Sequence, residues 1–384
     1  MLKCILRQFL RDVFPPMPLE MLGSRNMKND HPKAALYGVV NSNRKFSERV
    51  YWGKNQFNSS FPVALCCYMR DKGHKALSIS MKRDLSTKIG EMSFDTVFGT
   101  KLPNDKIFFK FESDFTPFEP FVADSLEKID VVIVNNETRE EIRPLEIKLT
   151  TLPDDGTSDF SEEKYGSEIV VRSPTMRYVA LSMTQSNSKN LAAIKKIFGP
   201  VCKKVDNWEN IAEMKSRQDD IFAALKEFLS KYCHTQRPLL VQPIWKTVGK
   251  NPELAENCLD VFVWTDFALT RLILDSLDED LPQKISRPQR AALRLARFLF
   301  ETSRGDSVYQ KPIYDAMTYD TLNDKEFSAP GRKTNRYMAC PRLTKPIITK
   351  GEIKKMILGG GQKYLSPERR FDSILFFSKD IFDE

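Results

Sequence analysis

Two neighbouring stretches carry the clearest pattern of apolar and polar positions in the chain. Ile129 to Val134 is a short, β-branched run with one charge, Asp130, near its start. Such a run predicts a strand buried on both faces. Asn135-Asn136 and the charged residues after them predict a turn region. The chain then returns through Leu145-Glu146-Ile147-Lys148-Leu149-Thr150, which alternates strictly. Residues at i and i+2 share a strand face. Leu145, Ile147 and Leu149 should therefore face a core, while Glu146 and Lys148 project together from the other side. Antiparallel pairing of the two runs would bring Asp130 near Glu146, in a register the pattern leaves open.

The same reading predicts the other elements. Residues 61–72 form a short buried helix, with Ser60 as cap, Pro62 in the first turn and Gly73 beyond the end. Strands are expected over 76–81, 106–111, 239–248 and 258–264. Ser173-Pro174 opens a helix to about Gln185, and a second spans 188–198, closed by Gly199-Pro200. Residues 208–232 form a long amphipathic helix with Ile211, Met214, Ile221, Leu225, Phe228 and Tyr232 roughly on one face. Helices over 267–277 and 287–303 follow, and residues 1–14 read as an amphipathic helix. Strands, a hairpin, helices and more strands predict an α/β (α+β) fold, a mixed central β-sheet flanked by helices. The expected division is an N-terminal segment of helix and strand over 1–100, a core over 101–280 and a basic C-terminal region over 281–384.

Composition narrows the class. At 384 residues, 41% hydrophobic and 29% charged, the chain suits a soluble globular protein. No apolar run approaches the roughly 20 residues of a membrane helix, and the N-terminus shows no signal-peptide cleavage pattern. A cytoplasmic protein is expected. Seven scattered cysteines, none in a CxxC pair, read as reduced structural thiols. The charge is unevenly placed. Residues 331–370 carry eleven Lys and Arg against two acids, a net +9, while the whole chain carries +8. A basic segment of this kind is the footprint of phosphate-backbone binding, although a solvated basic surface has the same composition. The acidic loop over 154–168 reads as a solvated surface.

The hairpin carries the candidate chemistry. Carboxylates and a lysine beside buried strands are costly unless they bind something. Mg²⁺ takes one or two protein carboxylates plus waters and phosphate oxygens. Asp130 and Glu146 would supply the carboxylates and the Ile147 carbonyl a third oxygen. Lys148 would orient the attacking water or stabilise the pentavalent phosphorus. Glu112 and Glu119, just upstream, are further acidic candidates. An ExK tripeptide alone is weak evidence, and the bland alternative is a surface hairpin with incidental charge alternation.

Asp130, fifteen intervening residues, then Glu146-x-Lys148 resembles the PD-(D/E)xK nuclease superfamily, with Ile129 in place of the usual proline. The segments NQFNSSFPVALCCYM (55–69), FEPFVADSLEKIDVVIVN (118–135), PLEIKLTTLPDD (144–155) and YGSEIVVRSPTMRY (165–178) resemble the HindVP-type type II restriction endonucleases. The resemblance runs over most of the chain. It implies a PD-(D/E)xK core over 101–280 and a Mg²⁺-dependent enzyme that cuts duplex DNA at a short palindrome, GRCGYC in relatives of that type. It also implies a companion DNA methyltransferase acting on the same site. A palindrome is best matched by a two-fold symmetric protein, hence a homodimer.

DNA-contact candidates lie further on. Arg287, Arg290, Arg294 and Arg297 are spaced 3, 4 and 3, which puts them on one helix face. They repel one another unless an anion lies across them, either a DNA backbone or acidic groups of the protein. Arg332, Lys333, Asn335 and Arg336 are candidates for base or phosphate contact. Two rival readings remain: a structure-selective or repair nuclease on the same fold, and a DNA-binding protein that does not cleave.

Overall fold

In a computed structural model the chain is described over residues 66–152, 169–232, 266–319 and 324–329, the strands 239–242, 245–248, 251–254 and 259–263, and residues 39, 41–43 and 63. The strands are β1 (Ala76–Met81), β2 (Thr87–Met92), β3 (Ile107–Ser113), β4 (Ile129–Asn135), β5 (Glu141–Leu145), β6 (Lys148–Leu152), β7 (Ile169–Arg172), β8 (Leu239–Gln242), β9 (Trp245–Val248), β10 (Asn251–Leu254), β11 (Leu259–Val263) and β12 (Lys325–Ala329). The helices are α1 (Phe94–Phe98), α2 (Ser173–Ser186), α3 (Leu191–Cys202), α4 (Ile211–Tyr232), α5 (Asp266–Leu274), α6 (Arg287–Thr302) and α7 (Gln310–Asp315).

Sheets and helices coexist as expected of an α+β fold, but the described strands do not form one mixed central sheet. They fall into a five-stranded sheet of order β2-β1-β8-β11-β6, a three-stranded sheet β3-β4-β5, and two strand pairs, β10-β9 and β12-β7. Every pairing between these strands is antiparallel. The strand β4 is central in its sheet and buried on both faces, with Val131, Val132 and Ile133 at 0% exposure. Its β-branched run therefore means what its composition predicts. The β5 strand pairs with it through Val131↔Leu145 and Ile133↔Arg143, with a bulge before Val134↔Glu141.

The alternating run over 145–150 is not one strand. The β5 strand stops at Leu145, the chain turns through Glu146-Ile147, and β6 begins at Lys148 in the other sheet, against β11. Leu145, Glu146 and Ile147 are all buried. Burial alone does not distinguish this segment from β4; it is the pairing of β6 with β11 that shows the chain changing sheets there. Arg143 on β5 also locks α1. Its guanidinium donates to the carbonyl of Val97 at 3.2 Å in the last turn of that helix. Gly99, at φ +73°, ends α1, and a Cβ there would lie 2.8 Å from Arg143 Nε.

Helix α6 is almost wholly buried and packs against α2, α3, α4 and α5. Ser286 and Gln289 form a capping box at its start. Helix α2 matches its expected span, with Pro174 in the first turn. Three helices differ from expectation, and one of them, α5, ends at Leu274 rather than Leu277. Helix α3 runs past Gly199-Pro200 to Cys202. Pro200 and Lys196 are on the exposed side, where water can take the carbonyl that Pro200 cannot bond. Helix α4 begins at Ile211 rather than Trp208, because Asn210 acts as its cap: its Oδ1 accepts from Glu213 N at 3.2 Å. Strand β10 contains Pro252, which hides it from a reading by pattern. The predicted strand over 239–248 is two strands, β8 and β9. The N-terminal helix, the acidic loop over 154–168 and the basic segment over 331–370 lie outside the described residues. Among the described residues no helix is long and apolar enough to cross a membrane.

Candidate active site

The candidate site is the open end of the β4–β5 hairpin. The β4–β5 ladder ends at Val131↔Leu145, and Asp130 and Glu146 are the residues that flank this last pair on the two segments. Asp130 is half-buried, and its Oδ2 accepts the backbone N–H of Ile147 at 2.7 Å. That bond ties the first strand to the point where the second leaves the sheet. Glu146 is 7% exposed, and its Oε1 accepts the Thr175 hydroxyl at 3.3 Å. Thr175 is the third residue of α2, so Glu146 meets the N-terminal end of that helix. Helix N-termini carry positive partial charge and favour a nearby carboxylate. Sequence reasoning did not single out Thr175. Ser173-Pro174-Thr175 reads as an ordinary helix start, and its contact is set by tertiary packing.

The remaining candidates fall as follows. Ile147 is buried and donates its N–H to Asp130. Lys148 opens β6 opposite Phe262, and its side chain lies outside the described residues. Glu112 sits on β3 between Phe111↔Val131 and Ser113↔Ile129, hence beside Asp130 in the ladder. It is exposed and has φ +48°, a left-handed conformation that costs a non-glycine residue on the order of 1–3 kcal/mol. Glu119 is on a 3-10 helix, Thr116–Phe121, and lines a cavity of about 450 Å³ with Asp114, Asp124 and Lys128. Arg332, Lys333, Asn335 and Arg336 lie outside the described residues.

The arginine row on α6 has a different fate from the one a DNA contact needs. Arg290 and Arg294 are 1% and 2% exposed. The anion across them is Glu326 of β12, itself 0% exposed, which pairs with Arg294 and lies 3.7 Å from Arg290 Nε. Arg294 Nε also donates to the Ala316 carbonyl at 3.2 Å. Burial pulls the Arg290 guanidinium below its ordinary pKa, and the charge of Glu326 opposes that shift. Arg297 stacks over the Trp208 ring at 5.3 Å. Buried and internally paired, Arg290 and Arg294 have no face left for a phosphate, and this corrects the expectation from their spacing.

Among the described residues no group of three or more His, Cys, Asp or Glu is arranged to hold a metal. The donor set at the hairpin end is two carboxylates. That fits a hard cation such as Mg²⁺, which takes one or two protein carboxylates and keeps several waters. It does not fit a soft ion. Cys66 and Cys202 are free, and burial pushes each thiol up to about 12, far from the thiolate a soft metal requires.

Comparison with known proteins adds the decisive observation. The family model of the HindVP restriction endonucleases matches residues 52–382. The chain belongs to the HindVP restriction endonuclease family. Its family relatives include the type II restriction enzyme HgiDI of Herpetosiphon aurantiacus, 37% identical over 350 residues, which are 91% of this chain and 97% of that protein. The probable type II restriction enzyme HindVP of Haemophilus influenzae is 37% identical over 353 residues, 91% of this chain and 95% of the relative. No solved structure matches the chain.

Proposed function

We propose that this family member is a type II restriction endonuclease that makes Mg²⁺-dependent double-strand breaks at a short palindrome in DNA. The observation that carries the reading is the bond from the Ile147 N–H to Asp130, which ties Asp130 to the turn that holds Glu146 in a chain of this family. Both curated relatives are named as type II restriction enzymes, HindVP as a probable one, and the match spans nearly all of each. On this reading the β3-β4-β5 sheet with the ExK run is the PD-(D/E)xK core. GRCGYC is the site proposed by likeness to relatives. A homodimer suits a palindrome, and a DNA methyltransferase of the same specificity would protect host DNA.

Asp130 and Glu146 hold the cation through their carboxylate oxygens, with the Ile147 carbonyl as a further oxygen donor. When bound, the divalent cation neutralises phosphate charge and makes the attacking water more acidic. Lys148 orients that water and stabilises charge on the pentavalent phosphorus. Water adds to phosphorus in line, the bond from phosphorus to the 3′ oxygen breaks, and that oxygen takes up a proton. The products carry 5′-phosphate and 3′-hydroxyl ends. Arg332, Lys333, Asn335 and Arg336 are proposed to contact DNA from the basic C-terminal region.

The test is incubation of the purified protein with phage lambda DNA, with Mg²⁺ or with EDTA, followed by sequencing of fragment ends. Discrete Mg²⁺-dependent fragments sharing one end sequence are expected. Cutting restricted to flaps, nicks or mismatches would instead identify a structure-selective nuclease. DNA left intact under all conditions, despite binding, would identify a protein that does not cleave.

A further inference from the structure

We infer that Thr175 is a positioning residue for the Glu146 carboxylate, so that the start of α2 sets the geometry of the cation-binding pair. This rests on the reading of Asp130 and Glu146 as cation ligands. Thr175 and Glu146 are each 7% exposed, and the hydroxyl donates to Oε1 at 3.3 Å. The last torsion of a glutamate side chain is broad rather than sharply staggered. Excluding water alone does not orient such a carboxylate. A hydroxyl bonded to one oxygen fixes the rotation, and with it the direction of both oxygens. Hydrogen-bond partners of ligating carboxylates matter nearly as much as the ligands themselves.

The donor is itself well anchored. Pro174 presets the backbone in the first turn of α2. Ser173 Oγ donates to Glu326 Oε1 at 2.7 Å, and Ser173 N donates to the Asp324 carbonyl at 3.2 Å. Glu326 is fixed in turn by Arg294 from the buried helix α6. A continuous set of bonds therefore leads from α6 through β12 to the first turn of α2, and from there to Glu146. A hydroxyl held this firmly can select one carboxylate orientation rather than follow it.

The test measures Mn²⁺ binding to the protein alone, from loss of the free-ion electron paramagnetic resonance signal. It compares wild type, Thr175→Val, Thr175→Ser and Glu146→Gln, with melting curves for each. Thr175→Val keeps the shape of the side chain and removes the donor. Its Mn²⁺ dissociation constant is expected to rise about 10- to 100-fold, and the Mg²⁺ concentration for half-maximal cleavage should rise with it. Thr175→Ser should restore both, which a purely structural role for the methyl group would not do. If Thr175→Val does not fold, Thr175→Ala takes its place. Wild-type Mn²⁺ affinity and Mg²⁺ dependence in the donor-less variant, with Mn²⁺ binding lost in Glu146→Gln, would overturn this inference alone. Unchanged Mn²⁺ binding in Glu146→Gln would overturn the cation-site reading and this inference together.

Discussion

The arginine face of α6 and the open end of the β4–β5 hairpin look alike as sequence. Each sets like charges beside a buried apolar pattern, and in each the charges need a partner. Their structures diverge. On α6 the partner is inside the protein: Glu326 lies against Arg290 and Arg294, and all three are sealed from solvent. At the hairpin end two carboxylates lie close in the chain's path, Asp130 on β4, half-buried, and Glu146 in the turn after β5, 7% exposed. Two of the bonds they accept come from the Ile147 N–H and the Thr175 hydroxyl. A row of like charges is therefore not a site in itself. On α6 the structural role is shown by the opposite charge that the fold brings to the row, Glu326 of β12.

The largest difference should appear on substitution. Asp130→Ala and Glu146→Ala are expected to reduce cleavage of a plasmid by more than about a thousandfold, with melting temperature and DNA binding retained. Lys148→Ala should behave in the same way, assayed by the same plasmid cleavage. The α6 region should respond the other way. Glu326→Ala leaves two buried guanidinium groups uncompensated and should destabilise the fold by about 3–5 kcal/mol, read from denaturant unfolding. Replacing the set together, as Arg290→Met, Arg294→Met and Glu326→Leu, should recover much of that loss. A triple variant no better than Glu326→Ala would mean that the ion pairs contribute more than mutual neutralisation.

A third expectation concerns the basic segment beyond β12. Neutralising Arg332, Lys333 and Arg336 should weaken DNA binding at every sequence. It should also reduce the salt slope by about 0.9 for each phosphate that is no longer neutralised. An unchanged slope in a salt titration removes the segment from the interface. The smallest effect belongs to Ser286→Ala, which breaks the capping box of α6 and should cost about 1 kcal/mol in unfolding free energy while leaving cleavage untouched.

Much of the hairpin is legible in the sequence because its signals are local. The β-branched run of β4 states its own burial, and Ser173-Pro174 states the start of α2. What the sequence cannot show depends on partners distant along the chain. Strict alternation over 145–150 suits either one continuous strand or a strand that changes sheets. Only the pairing of β6 with β11 decides between them. The helical spacing of Arg290 and Arg294 shows that they share a face, but their partner Glu326 lies in β12, a strand whose pattern does not announce it. Asn210 starts α4 through a local cap that the apolar pattern overruns. Thr175 carries no mark at all, since a threonine in a first helical turn is ordinary.

The most direct test of the central claim is cleavage of supercoiled plasmid by Asp130→Asn, in Mg²⁺, with the variant shown to melt and to bind DNA as the wild type does. The change keeps the size of the side chain and removes its charge. The account predicts that no linear product accumulates. Linear product formed at the wild-type rate would contradict it and move the chemistry away from the hairpin.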